Sequence, residues 1–446
     1  MIFFLAACSG SPNDVFDLPD EDMGNDLARP ISKDPAEPLQ FCDGPTSFVM
    51  DFQVNPVPKL PEPAARIAFR DPVFGACVVR VTDRKKDLAA DDTSKGLKNE
   101  YARVQSFNAD DTYILVRSTE ANWYLYDALT LRMLARLPVD NEPRWDSNDP
   151  NRLFYHSEAR LMALDLESGL GEIVHDYSLD FPEQNLYASW TRYEGSPSID
   201  TRYWGVMAQD EAWRPVAFLV YDRQMDRVIA RRDVQGWPAE DLEIDSVTIS
   251  PLGNYYLVYM DKYCVDRLGT ESDPCGLMVY DRDLKNGRGL LPVIGHSDLA
   301  LDVQGREVLI FQDIRKDEIS LLDLETGLVT PLQPIDFSYS PIGFHFSGQA
   351  FDRPGWAIVS TYSGAHPSAT WMDDVVFAIE LLPGGRVLRL AHTQSIVDGR
   401  QDHDYWAEPH ASANWNLTRI LFTSNWGRSG SEQVDMYMVV LPDDWP

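Results

Sequence analysis

The chain is predicted to be all-β, a single seven-bladed β-propeller, and three features of its sequence say so. A three-strand text recurs seven times, helical periodicity is missing over any useful length, and the apolar runs are rich in Val, Ile, Tyr, Trp and Phe between Gly, Asp, Asn and Pro turns. Each unit has a polar residue, a short strand, a turn such as Ala109-Asp110-Asp111 or Pro251-Leu252-Gly253-Asn254, a second strand, and a third ending in an acidic residue. The third strands close at Asp127, Asp165, Asp222, Asp281, Asp323 and Glu380, and a last one precedes Leu441. These marks are spaced by 38, 57, 59, 42, 57 and 61 residues, which are blade periods with insertions. A unit this small cannot bury its own faces, and seven close most simply into a ring where each sheet packs on two neighbours. A pair of β-sandwiches is the rival architecture, but no boundary linker divides the chain. The early strand 77–82 precedes the first full unit and is expected to complete the last blade and latch the ring.

The N-terminus reads MIFFLAAC, and Leu5-Ala6-Ala7-Cys8 resembles the lipobox of a bacterial lipoprotein precursor. Residues 1–8 are therefore expected to be a signal segment, 9–45 a flexible linker rich in Asp, Pro and Gly, and 46–446 the propeller. Lipidation of Cys8 would tether the chain to a membrane in the bacterial cell envelope, on the periplasmic side of the outer membrane or at the cell surface. The other four of five cysteines are left to pair in an oxidising compartment. Cys264 and Cys275 bracket a turn-rich insert between apolar runs, which makes Cys42 with Cys77 the second bridge.

Lys plus Arg number 39 against 70 Asp plus Glu, a net charge of −31. Nucleic acid is excluded as a general partner, because phosphate neutralisation needs a basic footprint. With 44% hydrophobic residues the chain nonetheless carries a real core, and a monomer is expected. No GxSxG elbow, P-loop, HExxH or EF-hand loop is present.

In a propeller the innermost strands all begin at one rim of the central channel, so residues at that phase converge. At or just before each inner strand stand Asn99, Tyr101 and Arg103; Arg144; Arg192 and Glu194; Asp245; His296 and Asp298; His345; and Glu408 and His410. Three of the eight histidines share this phase in three consecutive units. Singly, each reads as a channel side chain bonded to a carbonyl; together with Glu408 they make a plausible set for a borderline or hard divalent cation. His403 sits in the loop before Glu408, His156 and His175 are expected to face solvent, His366 lies in a Ser/Gly/Pro loop, and His392 has no evident place. The tryptophans that crowd the later units are read mainly as packing between blades, although flat rings near a polar channel also suit stacking on sugars.

Three segments resemble the seven-bladed oligogalacturonate lyases: Asn99-Glu100-Tyr101-Ala102-Arg103 running to Asp110, Gly295-His296, and Glu408-Pro409-His410-Ala411-Ser412 running to Ser424. The resemblance spans roughly residues 75 to 441 and shares its strand-turn-strand text with TolB-like propellers. It implies His296 as the base, and His345 and His410 as ligands of a divalent metal. Glu408 replaces the first histidine of the family's His-Pro-His run, and Tyr405 stands where that family has a glutamine. The reaction implied is β-elimination on a uronate-containing glycan, with Arg144 or Arg192 binding the carboxylate and Asn99, Tyr101, Arg103 and Tyr405 contacting substrate. The competing reading is a non-catalytic propeller that holds a glycan, peptide or protein partner in the envelope.

Overall fold

In a computed structural model, the described residues are 31, 36–43, 48–234, 244–337, 342–364, 368–398 and 402–445. They form seven antiparallel sheets, six of them built from consecutive strands. Blade 1 comprises Leu97–Lys98, Tyr113–Ser118, Trp123–Asp127 and Met133–Leu137. The inner strands of blades 2 to 6 are Asn141–Trp145, Ala188–Trp190, Ile244–Ile249, Ser297–Leu301 and Gly343–Ser347. Blade 7 holds Ser412–Ala413, Arg419–Ser424 and Asp435–Val440.

The latch forms as the sequence predicts. Cys77–Arg80 pairs antiparallel with Asp435–Val440 as the fourth strand of blade 7. Ala68–Arg70 then adds a fifth, outer strand that the sequence did not announce.

Seven apolar clusters, one at each junction between neighbouring blades, hold the ring together among the described residues. Strand alternation produces them. In the blade 3 strand Pro215–Asp222, Phe218 and Val220 pack with blade 4, while Leu219 and Tyr221 pack with blade 2. In blades 1, 3 and 5 the acidic residue that closes the third strand caps the following turn. Asp127 accepts from the backbone N–H of Leu129 and Thr130, Asp222 from Gln224 and Met225, and Asp323 from Thr326.

Part of the segment read as linker is packed. Leu39 and Phe41 lie against the junction of blades 7 and 1, and Cys42 is disulfide-bonded to Cys77, with 5.7 Å between their Cα atoms. The disulfide fixes 36–43 to the latch strand, which is why this stretch departs from the expected linker. Cys264 and Cys275 form the second disulfide. Further on, residues 48–62 run along the molecule as an extended strap: the buried Arg389 binds Asp51, the Gln53 carbonyl and Asn55, and Trp426 donates to the Leu60 carbonyl. Cys8 and His366 lie outside the described residues, as does the side chain of His403.

Candidate active site at the channel mouth

Two inner strands break where they line the channel. In blade 1 the ladder stops at Lys98 and resumes with a bridge from Phe107 to Ile114, so residues 99–105 bulge inward and present Tyr101 and Arg103. In blade 3 the chain leaves the sheet after Trp190 and carries Arg192, Tyr193 and Glu194 into the channel. Gly195 lets this bulge lie against blade 4, since a Cβ there would come within 2.4 Å of the Val247 carbonyl oxygen.

At the rim where the inner strands begin, the structure brings together His296, His345, Glu408, His410 and Tyr101. His345 Nε2 lies 2.7 Å from Glu408 Oε2, and His410 Nε2 lies 3.5 Å from the same oxygen. The rings of His345 and His410 are 4.1 Å apart between centroids, and those of His296 and His345 are 4.5 Å apart. Tyr101 Oη is 3.3 Å from His296 Nδ1, and its ring lies 4.6 Å from that of His410. Burial holds all three imidazoles below the usual histidine range. For His345 the effect is reinforced by His296, Arg103 and Lys98, and for His410 by His345, against the opposing pull of the Glu408 carboxylate. Neutral imidazoles offer lone pairs, which both a base and a metal ligand require.

One ligand atom from each of His345, Glu408 and His410 lies within 4.8 Å of the others, a spacing that three donors around one cation adopt. The donor set fits a divalent ion on a second ground. Both ring nitrogens of His410 and Nδ1 of His345 are buried without a hydrogen-bond partner, a costly state that a bound cation relieves at the nitrogen facing it. Asn99 positions this set. Its Nδ2 donates to the His410 carbonyl at 2.6 Å, its Oδ1 accepts from Thr423 Oγ1 at 2.8 Å, and His410 itself sits at φ 44°, a left-handed backbone that needs such a clamp. Buried, and with both ends of its amide bonded to the protein, Asn99 is a scaffold residue.

The arginines sort differently from expectation. Arg144 is buried, pairing with Glu100 at 2.8 Å and donating to the carbonyls of Pro143, Gly195 and Tyr193. Arg192 donates to the Ile244 carbonyl. Arg103 pairs with Glu194 at 3.1 Å and lies over the rings of Tyr101 and Tyr259, forming a polar bar across the channel beneath the histidines. Burial, with Asp245, Glu100 and Asp298 adding to it, pushes Glu194 up against the pull of Arg103, and burial raises Asp298 to about 6. Glu194, Asp245 and Asp298 all act on the Arg103 guanidinium, and Arg192 also draws on Asp245.

The cation that sequence reasoning missed is Arg117, on the second strand of blade 1 and paired in register with Lys98. It lies 5.5 Å from the centroid of the Trp406 ring, and among the described residues no carboxylate comes within ion-pair distance of it. Lys98 is buried beside it, donating to the carbonyls of Asn99 and Glu100, and burial together with Arg117 lowers it to about 7 while Glu100 and Glu408 oppose. The only signal in the sequence was a charged residue interrupting the apolar strand YILVRS. Tyr405, 41% exposed and 6.3 Å from the His410 ring, edges the same mouth.

Two histidines lie away from solvent, against expectation. His156 is buried in blade 2, 3.9 Å from Glu142, and burial with Arg144 lowers it to about 3. His175 is half-buried between Asp180 and Asp226. His392 packs on the Phe74 ring and contacts Asp71 at 3.4 Å, tying the latch segment to blade 6.

No family model matches the chain, and no curated protein matches its sequence. Solved structures match in fold. An oligogalacturonate lyase in complex with manganese superposes with a TM-score of 0.57 at 15% identity, covering 90% of this chain and 99% of its own. An oligogalacturonate lyase from Vibrio parahaemolyticus gives 0.58 at 14% identity, covering 90% of this chain and 100% of its own. The seven-bladed fold is shared with these enzymes.

Proposed function

We propose that the protein is a cation-assisted lyase that cleaves uronate-containing oligo- or polysaccharides by β-elimination at the channel mouth. The observation that carries this reading is the convergence of three neutral imidazoles, one carboxylate and a tyrosine hydroxyl beside Arg117, which closes no ion pair among the described residues.

The chemistry needs a base, a proton donor for the leaving oxygen, and positive charge at the substrate carboxylate. His296 serves as base. In the tautomer that donates from Nδ1 to Tyr101 Oη, its Nε2 is free to remove the proton on the carbon next to the uronate carboxylate. Negative charge then builds on that carboxylate, where the Arg117 guanidinium stabilises it. As the glycosidic oxygen leaves, Tyr101 gives it a proton and recovers one from His296 Nδ1, so the net transfer runs from carbon to oxygen. His345, Glu408 and His410 would hold a divalent cation, manganese or calcium, which when bound supplies charge neutralisation at the substrate carboxylate. Glu408 adds an anion to the ligand set, which favours a hard cation.

The same reading places the protein in the bacterial cell envelope, tethered through Cys8 and acting as a monomer on an anionic glycan. The test is a panel of pectic, alginate and ulvan oligosaccharides, followed by the ultraviolet absorbance of the unsaturated uronate, with and without chelator. A rise abolished by chelator and by His296→Ala supports the proposal; no rise on any substrate overturns it.

A further inference from the structure

A group of aromatic side chains on blade 3 takes no part in this chemistry. Tyr193 enters the mouth on the inward bulge and is 49% exposed; Trp213, in the turn between Tyr203–Gln209 and Pro215–Asp222, is 51% exposed. That turn lies on the site face, because Gln209 pairs with Ala188 at the start of the inner strand. The buried Trp190 joins the two, its ring centroid 4.7 Å from that of Tyr193 and 5.7 Å from that of Trp213, and Tyr187 lies 4.9 Å beyond.

The shelf is held rigidly. Trp190 donates to Gln209 Oε1, and Gln209 Nε2 donates to the Trp213 carbonyl at 2.7 Å. Asp210 accepts from the backbone of Ala212 and Arg214 and from the Arg214 guanidinium. The Tyr193 carbonyl is bound by Arg144, and its N–H donates to Glu142. Both aromatic residues adopt left-handed backbones, φ 82° and 59°, which bulky side chains rarely do. Local polar bonds therefore hold an indole and a phenol open to solvent, in conformations that neither side chain favours intrinsically.

We infer that Tyr193 and Trp213 form a stacking subsite for sugar rings of a glycan chain that extends beyond the pair of rings being cleaved. The occupant follows from the chemistry: aromatic faces meet the C–H faces of pyranose rings, and the shelf leads from the mouth outward along the face by which substrate must enter, since the Arg103–Glu194 bar crosses the channel below. The inference rests on the proposed lyase reading, and it makes the enzyme a reader of chain length.

The test separates the two claims. Equilibrium binding of uronate oligosaccharides of increasing length is measured by calorimetry on His296→Ala protein and on the same protein carrying Trp213→Ala, with thermal unfolding as the folding check and Trp213→Phe as the conservative control. Affinity rising with length in the first, and falling by about threefold to tenfold on long chains but not on the disaccharide after Trp213→Ala, supports the subsite. Retention by Trp213→Phe of most of the gain supports it further. Equal affinities for all lengths in both proteins overturn it, whatever the elimination assay on the wild-type chain reports.

Discussion

Asn99→Ala separates a scaffold role from a ligand-binding one. The side chain is buried and makes two hydrogen bonds, to the His410 carbonyl at 2.6 Å and from Thr423 Oγ1 at 2.8 Å. Truncation leaves a buried carbonyl and a buried hydroxyl unpaired, each costing about 1–3 kcal/mol, so a loss of about 2–6 kcal/mol is expected in denaturant unfolding. The second effect is local. His410 is held at φ 44° through that carbonyl, and without the clamp its backbone relaxes and carries the imidazole away from His345 and Glu408. Losing a residue that orients a ligand typically weakens metal affinity by about 10–100-fold. Calorimetric titration of manganese into the variant and the wild type measures this directly. Unchanged manganese affinity, together with a raised KM for glycan, would refute the reasoning and return Asn99 to substrate contact.

Two arginines are expected to behave oppositely. Arg117→Gln lowers kcat/KM on uronates by about 10- to 100-fold with little change in stability, whereas Arg144→Ala removes the ion-pair partner of the largely buried Glu100 and three bonds to carbonyls, and costs about 3–5 kcal/mol in unfolding; equal kinetic and stability effects in the two would contradict the assignment. Acid sensitivity should trace partly to Asp71, where burial acts to raise the carboxyl but His392 and the backbone N–H groups of His392 and Phe74 outweigh it and lower it. A depressed folded-state value means that its stabilisation is present above about pH 4 and is lost as pH falls through that lower value, so Asp71→Asn should flatten the acid limb of stability measured by urea unfolding across pH. Because a chain of net charge −31 repels a polyanion at long range, glycan binding should tighten as the screening length falls from about 30 Å at 0.01 M salt to about 8 Å at 0.15 M; steady weakening over that range would contradict it.

The fold was legible because its signals are local. An acidic residue at the end of a third strand caps the next turn within two or three residues, as Asp127 and Asp222 do, and so leaves a mark at blade spacing. The latch was legible for the same reason: 77–82 is an apolar strand without a neighbour in sequence. The three histidines could be aligned because inner strands share one rim. What the sequence hid depends on contacts across blades. Asn99 and His410 are 311 residues apart, and no local pattern distinguishes an amide that clamps a carbonyl from one that faces ligand. Arg144 and Arg117 both feel the Glu100 carboxylate, but among the described residues only Arg144 closes an ion pair with it, which is decided by the inward bulge at Glu100. His156 looked solvent-facing on an alternating strand, but in a propeller both faces of a strand are covered by neighbouring blades.

Elimination breaks the glycosidic bond without water. Digestion of a defined uronate oligosaccharide in heavy-oxygen water, with manganese present and products analysed by mass spectrometry, reads this out in one experiment. Elimination predicts products whose masses sum to that of the substrate, one bearing an unsaturated end and neither carrying label. One heavy oxygen incorporated per cleavage would show hydrolysis and contradict the account.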